Sequence, residues 1–298
     1  MKKVINILYL ALILLFLYAP IFVLTLYSFV DSNVVSFADL KNGLSLELYK
    51  ELFKSQELMK IVFDTFLLAF ISATLATILG TLGAIGIYYS KGKLGKGVGM
   101  ASRIPVINAE IVTAVSLVLL LTMVFSQSRS FAGMVIGHMI ISTPFVVLSV
   151  IPKLKQMDPN MYEAALDLGA SPSRALWSVV MPEIKSGIFS GFMLAVTLSL
   201  DDYIISAYTQ PAGIKTISTY VYGAMSKSGT NSSLPALRAL SAIIFLVIIL
   251  IVIAGIVAFY FLQPVIRRKE YEEQRANFAK REETFRQNLK ALQGEKEE

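Results

Sequence analysis

Six apolar stretches dominate this sequence, and each is long enough to cross a membrane as a helix. A bilayer core about 30 Å thick requires about 20 helical residues. The stretches lie near 5–30, 62–89, 104–125, 131–151, 184–209 and 236–262. Only 16% of the residues are charged, against roughly 25% in soluble domains. We therefore predict an all-α polytopic membrane protein with six transmembrane helices.

Basic residues lie in the segments that six alternating helices would place on one side of the membrane. Lys2 and Lys3 precede the first stretch, 267–269 is wholly basic, and the loop 90–103 carries four basic residues and no acid. The positive-inside rule therefore predicts that both termini and the segment 152–183 are cytoplasmic. These flanking residues account for the net charge of +6 without a nucleic-acid partner. The chain has no cysteine, which excludes disulfides and thiolate metal sites.

The segment 157–182, MDPNMYEAALDLGASPSRALWSVVMP, is polar and carries its own helix signals. The Asp-Pro pair at 158–159 and the Ser-Pro pair at 171–172 are typical helix starts, and Gly169 stands where a left-handed C-terminal cap is expected. Pro182 would end the second helix or kink the start of the fifth span. This pattern predicts two short helices in a tight elbow, suited to insertion into a groove on a soluble partner. An ordinary connector is the alternative.

Within the elbow, one set of residues resembles the EAA loop of ABC-importer permeases, whose pattern is EAA-x3-G-x9-I-x-L-P. The matching residues are Glu163, Ala164, Ala165, Gly169 and Pro182, with Val179 and Met181 at the Ile and Leu positions. The resemblance implies a type I (MetI-like) importer permease fold. It also implies a coupling helix that docks into a cleft of a cytoplasmic ATPase subunit.

Three further segments, 108–121, 137–154 and 197–209, resemble the spermidine/putrescine permeases of the PotC type. The likeness runs from about 7 to 263 and departs at 226–235. It implies a permease domain over 1–266, and it does not cover the charged tail over 267–298, which we expect to be helical and cytoplasmic. We then expect a bacterial inner-membrane location. The implied partners are a second permease of the PotB type, two ATP-binding subunits of the PotA type, an extracellular or lipid-anchored polyamine-binding protein of the PotD type, and membrane lipid.

The chain is not expected to be an enzyme or to hold a cofactor. Its Gly- and Lys-rich segment 90–100 lacks the spacing of a phosphate-binding loop. ATP and Mg would therefore bind the partner ATPase.

Four acids fall within the apolar stretches, where ionisable groups are costly and point to function. Asp64, Asp201 and Asp202 are expected near the outer mouth, and Glu110 lies deeper on the third span. Such a carboxylate lining suits a cationic substrate. In the alternative, Asp201 and Asp202 cap a broken helix and Glu110 bonds across the bundle. His138, the only histidine, has no partners for a metal site and is expected to form hydrogen bonds within the bundle.

Other cargoes are compatible with the elbow, among them ferric iron and thiamine, because a coupling loop carries no information on substrate. An ATP-independent channel or carrier, or a membrane scaffold, would leave the elbow unexplained.

Overall fold

The computed structural model describes residues 2–30, 45–90, 93–102, 104–125, 129–226, 238–257, 259 and 261, all of them in helices, turns or short connections. The predicted tail over 267–298 and the segment 227–237 lie outside these residues. The helices are α1 (Lys2–Tyr27), α2 (Glu47–Lys54), α3 (Gln56–Tyr89), α4 (Lys93–Ala101), α5 (Ile104–Ile107), α6 (Glu110–Phe125), α7 (Phe131–Gln156), α8 (Asn160–Asp167), α9 (Pro172–Ala175), α10 (Met181–Asp201), α11 (Ile204–Thr209), α12 (Ile217–Ser226) and α13 (Arg238–Val257).

Five helical stretches in the described part of the chain are long and apolar enough to cross a membrane. They are Asn6–Tyr27, Gln56–Tyr89, Phe131–Gln156, Pro172–Asp201 and Arg238–Val257. The sixth apolar stretch is shorter: α6 has 16 residues, which is about 24 Å of helix. The all-α membrane fold is thus confirmed.

Two predicted spans are broken. The break in the fifth span matches the alternative in which the acid pair caps a broken helix, and the break in the third span was not predicted. The third stretch divides into α5 and α6 at residues 108–109, and the fifth divides into α10 and α11 at residues 202–203. A run of apolar residues indicates that a segment lies within the membrane. It does not indicate where the helix breaks, because a break requires side chains that satisfy the freed backbone groups.

The chain divides into two compact units, residues 1–245 and 246–298. In the first unit, α3, α7 and α10 pack against one another. The buried face of α3 is rich in small residues, among them Ala73, Ala76, Gly80 and Ala84, which let helices approach closely in a membrane. A Cβ at Gly80 would lie only 2.6 Å from that of Val146 on α7.

The order of contacts along these helices fixes their directions. Leu68 on α3 packs in one cluster with Met134 on α7, and Gly80 meets Val146, so α3 and α7 run parallel. Helix α10 runs the other way, because its Gly191 meets Val146 while Ser199 reaches His138. The bundle therefore has an elbow end, where α3 and α7 finish, and an opposite end, where α10 finishes.

Candidate functional site

The first turn of α8 is capped as the sequence predicts. An Asp158 carboxylate oxygen accepts a hydrogen bond from the Asn160 backbone N–H at 2.9 Å, and Pro159 already has helical angles. Because Met157, which follows the last residue of α7, is buried, the chain turns directly from the bundle into α8.

A Schellman motif closes the other end of α8. Gly169 has φ +85°, its N–H bonds to the Leu166 carbonyl at 2.9 Å, and the Ala170 N–H bonds to the Ala165 carbonyl at 3.0 Å. These two bonds are the pair that defines the motif. The eight-residue helix is thus fixed at both ends by its own local hydrogen bonds.

The second half of the elbow is not a separate helix, which corrects the sequence prediction. Ser171 caps α9, accepting from the Arg174 N–H at 3.4 Å. A π-helical turn, Leu176–Val180, then joins α9 to α10 without interruption. Pro182, the second residue of α10, neither ends a helix nor starts a new span. A proline removes one donor from the helical ladder, and a π turn, whose bonds skip one residue further, accommodates that loss.

Helix α8 has no buried residue, and Glu163 and Ala164 are exposed. Its neighbours attach it to the bundle. Ala175 and Val180, which follow in the elbow, are fully buried, and Tyr162 packs against the core cluster that contains Leu154. The site is therefore an exposed, rigidly capped helix mounted on a buried base.

The structure does not gather the four candidate acids into one site. Asp64 is half-buried on α3, Glu110 is exposed at the first residue of α6, and Asp201 is exposed at the last residue of α10. Asp202 is the acid with a defined structural role. Its carboxylate accepts from the backbone N–H groups of Ile205 (3.3 Å) and Ser206 (2.9 Å) and so caps α11.

His138 forms hydrogen bonds within the bundle, as predicted, and its partners were missed. The imidazole contacts Ser199 and Ser206, and Ser199 in turn contacts Ser72 on α3. The sequence held one usable signal, since Ser199 and Ser206 flank the acid pair on either side. The contact between Tyr162 and Tyr89, with ring centroids 5.1 Å apart, also went unpredicted because it joins distant parts of the chain.

A multi-pass helical bundle that presents a capped, exposed helix at one end is the architecture expected of a membrane permease subunit. Residues 100–270 match the family described as "Binding-protein-dependent transport system inner membrane component". The chain belongs to this family, and it is a permease of the ABC-importer class.

Two relatives extend the match over most of the chain. The chain is 29% identical over 267 residues to the putrescine transport system permease protein PotI of Escherichia coli (strain K12), covering 88% of this chain and 92% of that protein. It is 30% identical over 236 residues to the spermidine/putrescine transport system permease protein PotC of Haemophilus influenzae, covering 79% of this chain and 90% of that protein.

A solved structure shows the same fold. The chain aligns with a chain of a bacterial alginate ABC transporter, crystallised with an alginate-bound periplasmic protein, at a TM-score of 0.63 and 17% identity. The alignment covers 85% of this chain and 92% of that one. The type I importer fold is thereby confirmed.

Proposed function

We propose that this chain is one of two permease subunits of an ATP-driven importer of polyamines, with spermidine and putrescine as the favoured cargo. The observation that carries the importer mechanism is the elbow, an exposed helix locked at both ends and seated on a buried base. The printed names of PotI and PotC support the cargo. Carboxylates at Asp64, Glu110 and Asp201 suit an alkyl chain with several ammonium groups.

The partners follow from the same proposal. A second permease of the PotB type completes the path, and two ATPase subunits of the PotA type bind ATP and Mg. A binding protein of the PotD type delivers cargo from outside, as a periplasmic protein accompanies the alginate transporter. Both termini and the elbow end face the cytoplasm, and the exposed apolar side chains of the bundle face lipid or the second permease.

The elbow has the contacts needed to transmit movement of the ATPase subunits. Glu163, Ala164 and Gly169 face outward from α8 and are the surface that docks. Tyr162, beside Glu163, contacts Tyr89 at the end of α3. The π turn carries the elbow straight into α10. One docked helix therefore acts on two spans that are packed together.

The test is uptake of labelled spermidine and putrescine, with ferric iron and thiamine as control solutes. Cells lacking the chain receive it intact, as Glu163→Arg, or as Glu47→Arg. Glu47 is also exposed, but it lies on α2 at the opposite end of the bundle, so it controls for the charge change alone. The Glu163 variant is expected to lose uptake and co-purifying ATPase, and the Glu47 variant to keep both.

The outcomes separate the parts of the proposal. If uptake of iron or thiamine depends on the chain and polyamine uptake does not, the importer class stands and the assignment of polyamines as cargo is overturned. Normal uptake and normal ATPase binding by the Glu163 variant would overturn the coupling role of the elbow.

A further inference from the structure

His138 lies at the break between α10 and α11 and contacts both sides of it. The residue belongs to α7 and is only 2% exposed. Its Nδ1 lies 2.7 Å from Oγ of Ser199, before the break, and its Nε2 lies 3.0 Å from Oγ of Ser206, after the break. One imidazole thus bridges the two halves of a broken span.

The break itself is built around Asp202. Its backbone is extended (φ −66°, ψ 122°) and its N–H still bonds to the Leu198 carbonyl of α10. Its carboxylate caps α11 and is 10% exposed, with one oxygen 3.5 Å from Nε2 of His138. Freed backbone groups at a break inside a membrane need such partners. The His138 ring and the Asp202 cap therefore hold one junction.

The hydroxyl chain beyond Ser199 favours a proton on Nδ1 of the ring. Ser72 donates to the Leu68 carbonyl at 2.7 Å, so toward Ser199, 3.1 Å away, it can only accept. A serine hydroxyl has one proton, and that of Ser199 is therefore directed to Ser72. Nδ1 of His138 is then the donor to Ser199, while Nε2 faces both the Ser206 hydroxyl at 3.0 Å and an Asp202 carboxylate oxygen at 3.5 Å.

Next to the ring, α11 packs closely against α7. A Cβ on Gly137 would lie 2.5 Å from Ile205 of α11 and 2.9 Å from Leu117 of α6. Ile205 is fully buried. The backbone of α7 thus approaches α11 closely at the residue that precedes His138, so the ring is held at short range of both serines.

We propose that His138 is a positioning residue that fixes the angle between α10 and α11, with one ring nitrogen holding each half. The angle sets where the exposed acid Asp201 and the half of the span beyond it face. This clamp, formed by His138 with Ser199 and Ser206, is a feature separate from the cargo and from the coupling elbow. That this angle controls access to the transport path at the end opposite the elbow rests on the proposed function.

The experiment measures the angle directly. The chain has no cysteine, so Leu194→Cys on α10 and Tyr208→Cys on α11 give the only two labelling sites on this chain, and any cysteines of the co-purifying subunits are first replaced by serine. Both sites are partly exposed, at 39% and 38%, and are roughly 20 Å apart along the helices. The distance distribution is recorded by pulsed electron paramagnetic resonance on the full chain in lipid, in the complex with which it purifies, without cargo.

Variants that remove one of the two hydrogen bonds of the ring give a readout that a merely structural role would not produce. Ser206→Ala and Ser199→Ala each remove one side of the clamp. Thr209→Val and Thr197→Val are their matched controls, because those hydroxyls bond only within their own helices. The two serine variants are expected to broaden the distance distribution at least twofold, and the two threonine variants to leave it unchanged.

Substitutions of the ring complete the test. His138→Asn places an amide donor near Nδ1 and His138→Gln places an amide acceptor near Nε2. The Asn variant should therefore match Ser206→Ala and the Gln variant should match Ser199→Ala, while His138→Ala is broader than either. Distances that do not respond to His138→Ala or to either serine variant would overturn the clamp, whatever the chain transports. Distances that respond while polyamine uptake is independent of the chain would support the clamp and overturn the cargo.

Discussion

The ring of Tyr162 on α8 lies 5.1 Å from the ring of Tyr89 at the end of α3, with the planes 47° apart. Tyr89 also meets the neighbouring Tyr88 edge-on at 5.0 Å. The exposed elbow helix thus contacts the end of α3 through an aromatic pair. Such pairs contribute about 0.5–1.5 kcal/mol beyond their buried area.

Loss of this ring should weaken coupling without preventing assembly. Tyr162→Ala is expected to lower uptake about two- to tenfold while ATPase still co-purifies, because the docking surface of α8 is unchanged. Tyr162→Phe keeps the ring and should retain uptake. The ratio of transported cargo to ATP hydrolysed in proteoliposomes measures the effect. Met161→Ala, a change at the neighbouring exposed residue, is the control, and an equal loss there would contradict the assignment to the Tyr162 ring.

Gly169 and Gly213 allow backbone strain to be separated from docking. Both have positive φ (85° and 87°), and a Cβ on either would meet nothing within 4 Å. Alanine at either should therefore cost about the same, roughly 1–2 kcal/mol, through the left-handed backbone alone.

Only Gly169→Ala should reduce co-purifying ATPase, because Gly169 closes α8 whereas Gly213 lies at the opposite end of the bundle. Thermal unfolding in detergent checks that the two costs match. If Gly213→Ala released the ATPase equally, the loss would reflect general destabilisation and not the elbow.

The two acids at the break should differ in what their removal costs. Asp202→Ala removes the cap of α11 and is expected to lower the free energy of unfolding by about 1 kcal/mol. Asp201 is exposed, and Asp201→Ala should leave the unfolding midpoint unchanged while it lowers polyamine uptake. Thermal unfolding of each purified variant, compared with polyamine uptake by the cells that express it, tests this. Equal melts for both variants would contradict the capping role of Asp202.

The stability of the turn that leads from α11 to α12 should depend more on a buried hydrogen bond than on an exposed ion pair. Oγ1 of Thr65 accepts from the Ile217 N–H at 3.0 Å, and Thr65→Val leaves that buried donor unpaired, at a cost of about 1–3 kcal/mol. Lys215 and Glu57 are 3.2 Å apart but mostly exposed, so Lys215→Ala should cost less than about 1 kcal/mol. Denaturation midpoints should rank Thr65→Val as the more damaging change.

The sequence predicted elements whose signals are local. The caps at Asp158, Gly169 and Ser171 each act within a few residues, and the structure confirms the bonds made by all three. The break in the third span was not predicted, and the break in the fifth was one of two alternatives because part of what holds it is distant in sequence. At the break after Asp201, the ring that bridges the two halves comes from α7, 61 residues before Ser199.

Pro182 illustrates a second limit. A proline at that position predicts a helix end or a kink, and the sequence alone does not reveal that the preceding turn widens into a π turn. The exposed acids Glu110 and Asp201 present a third limit. Their position in an apolar run indicates function, but the sequence does not show that both side chains lie exposed at helix ends, apart from each other.

Helix α1 has a consequence for how the protein is made. None of its 18-residue apolar window is buried, although Tyr27 and Val30, at and just after its end, are. Little of its stability as a span therefore depends on the helices translated after it, and it can enter the bilayer without packing against them. Its exposed apolar flank is therefore covered by lipid or, under the proposed function, by the second permease subunit, so the surroundings of this helix are decided after its insertion and not by it.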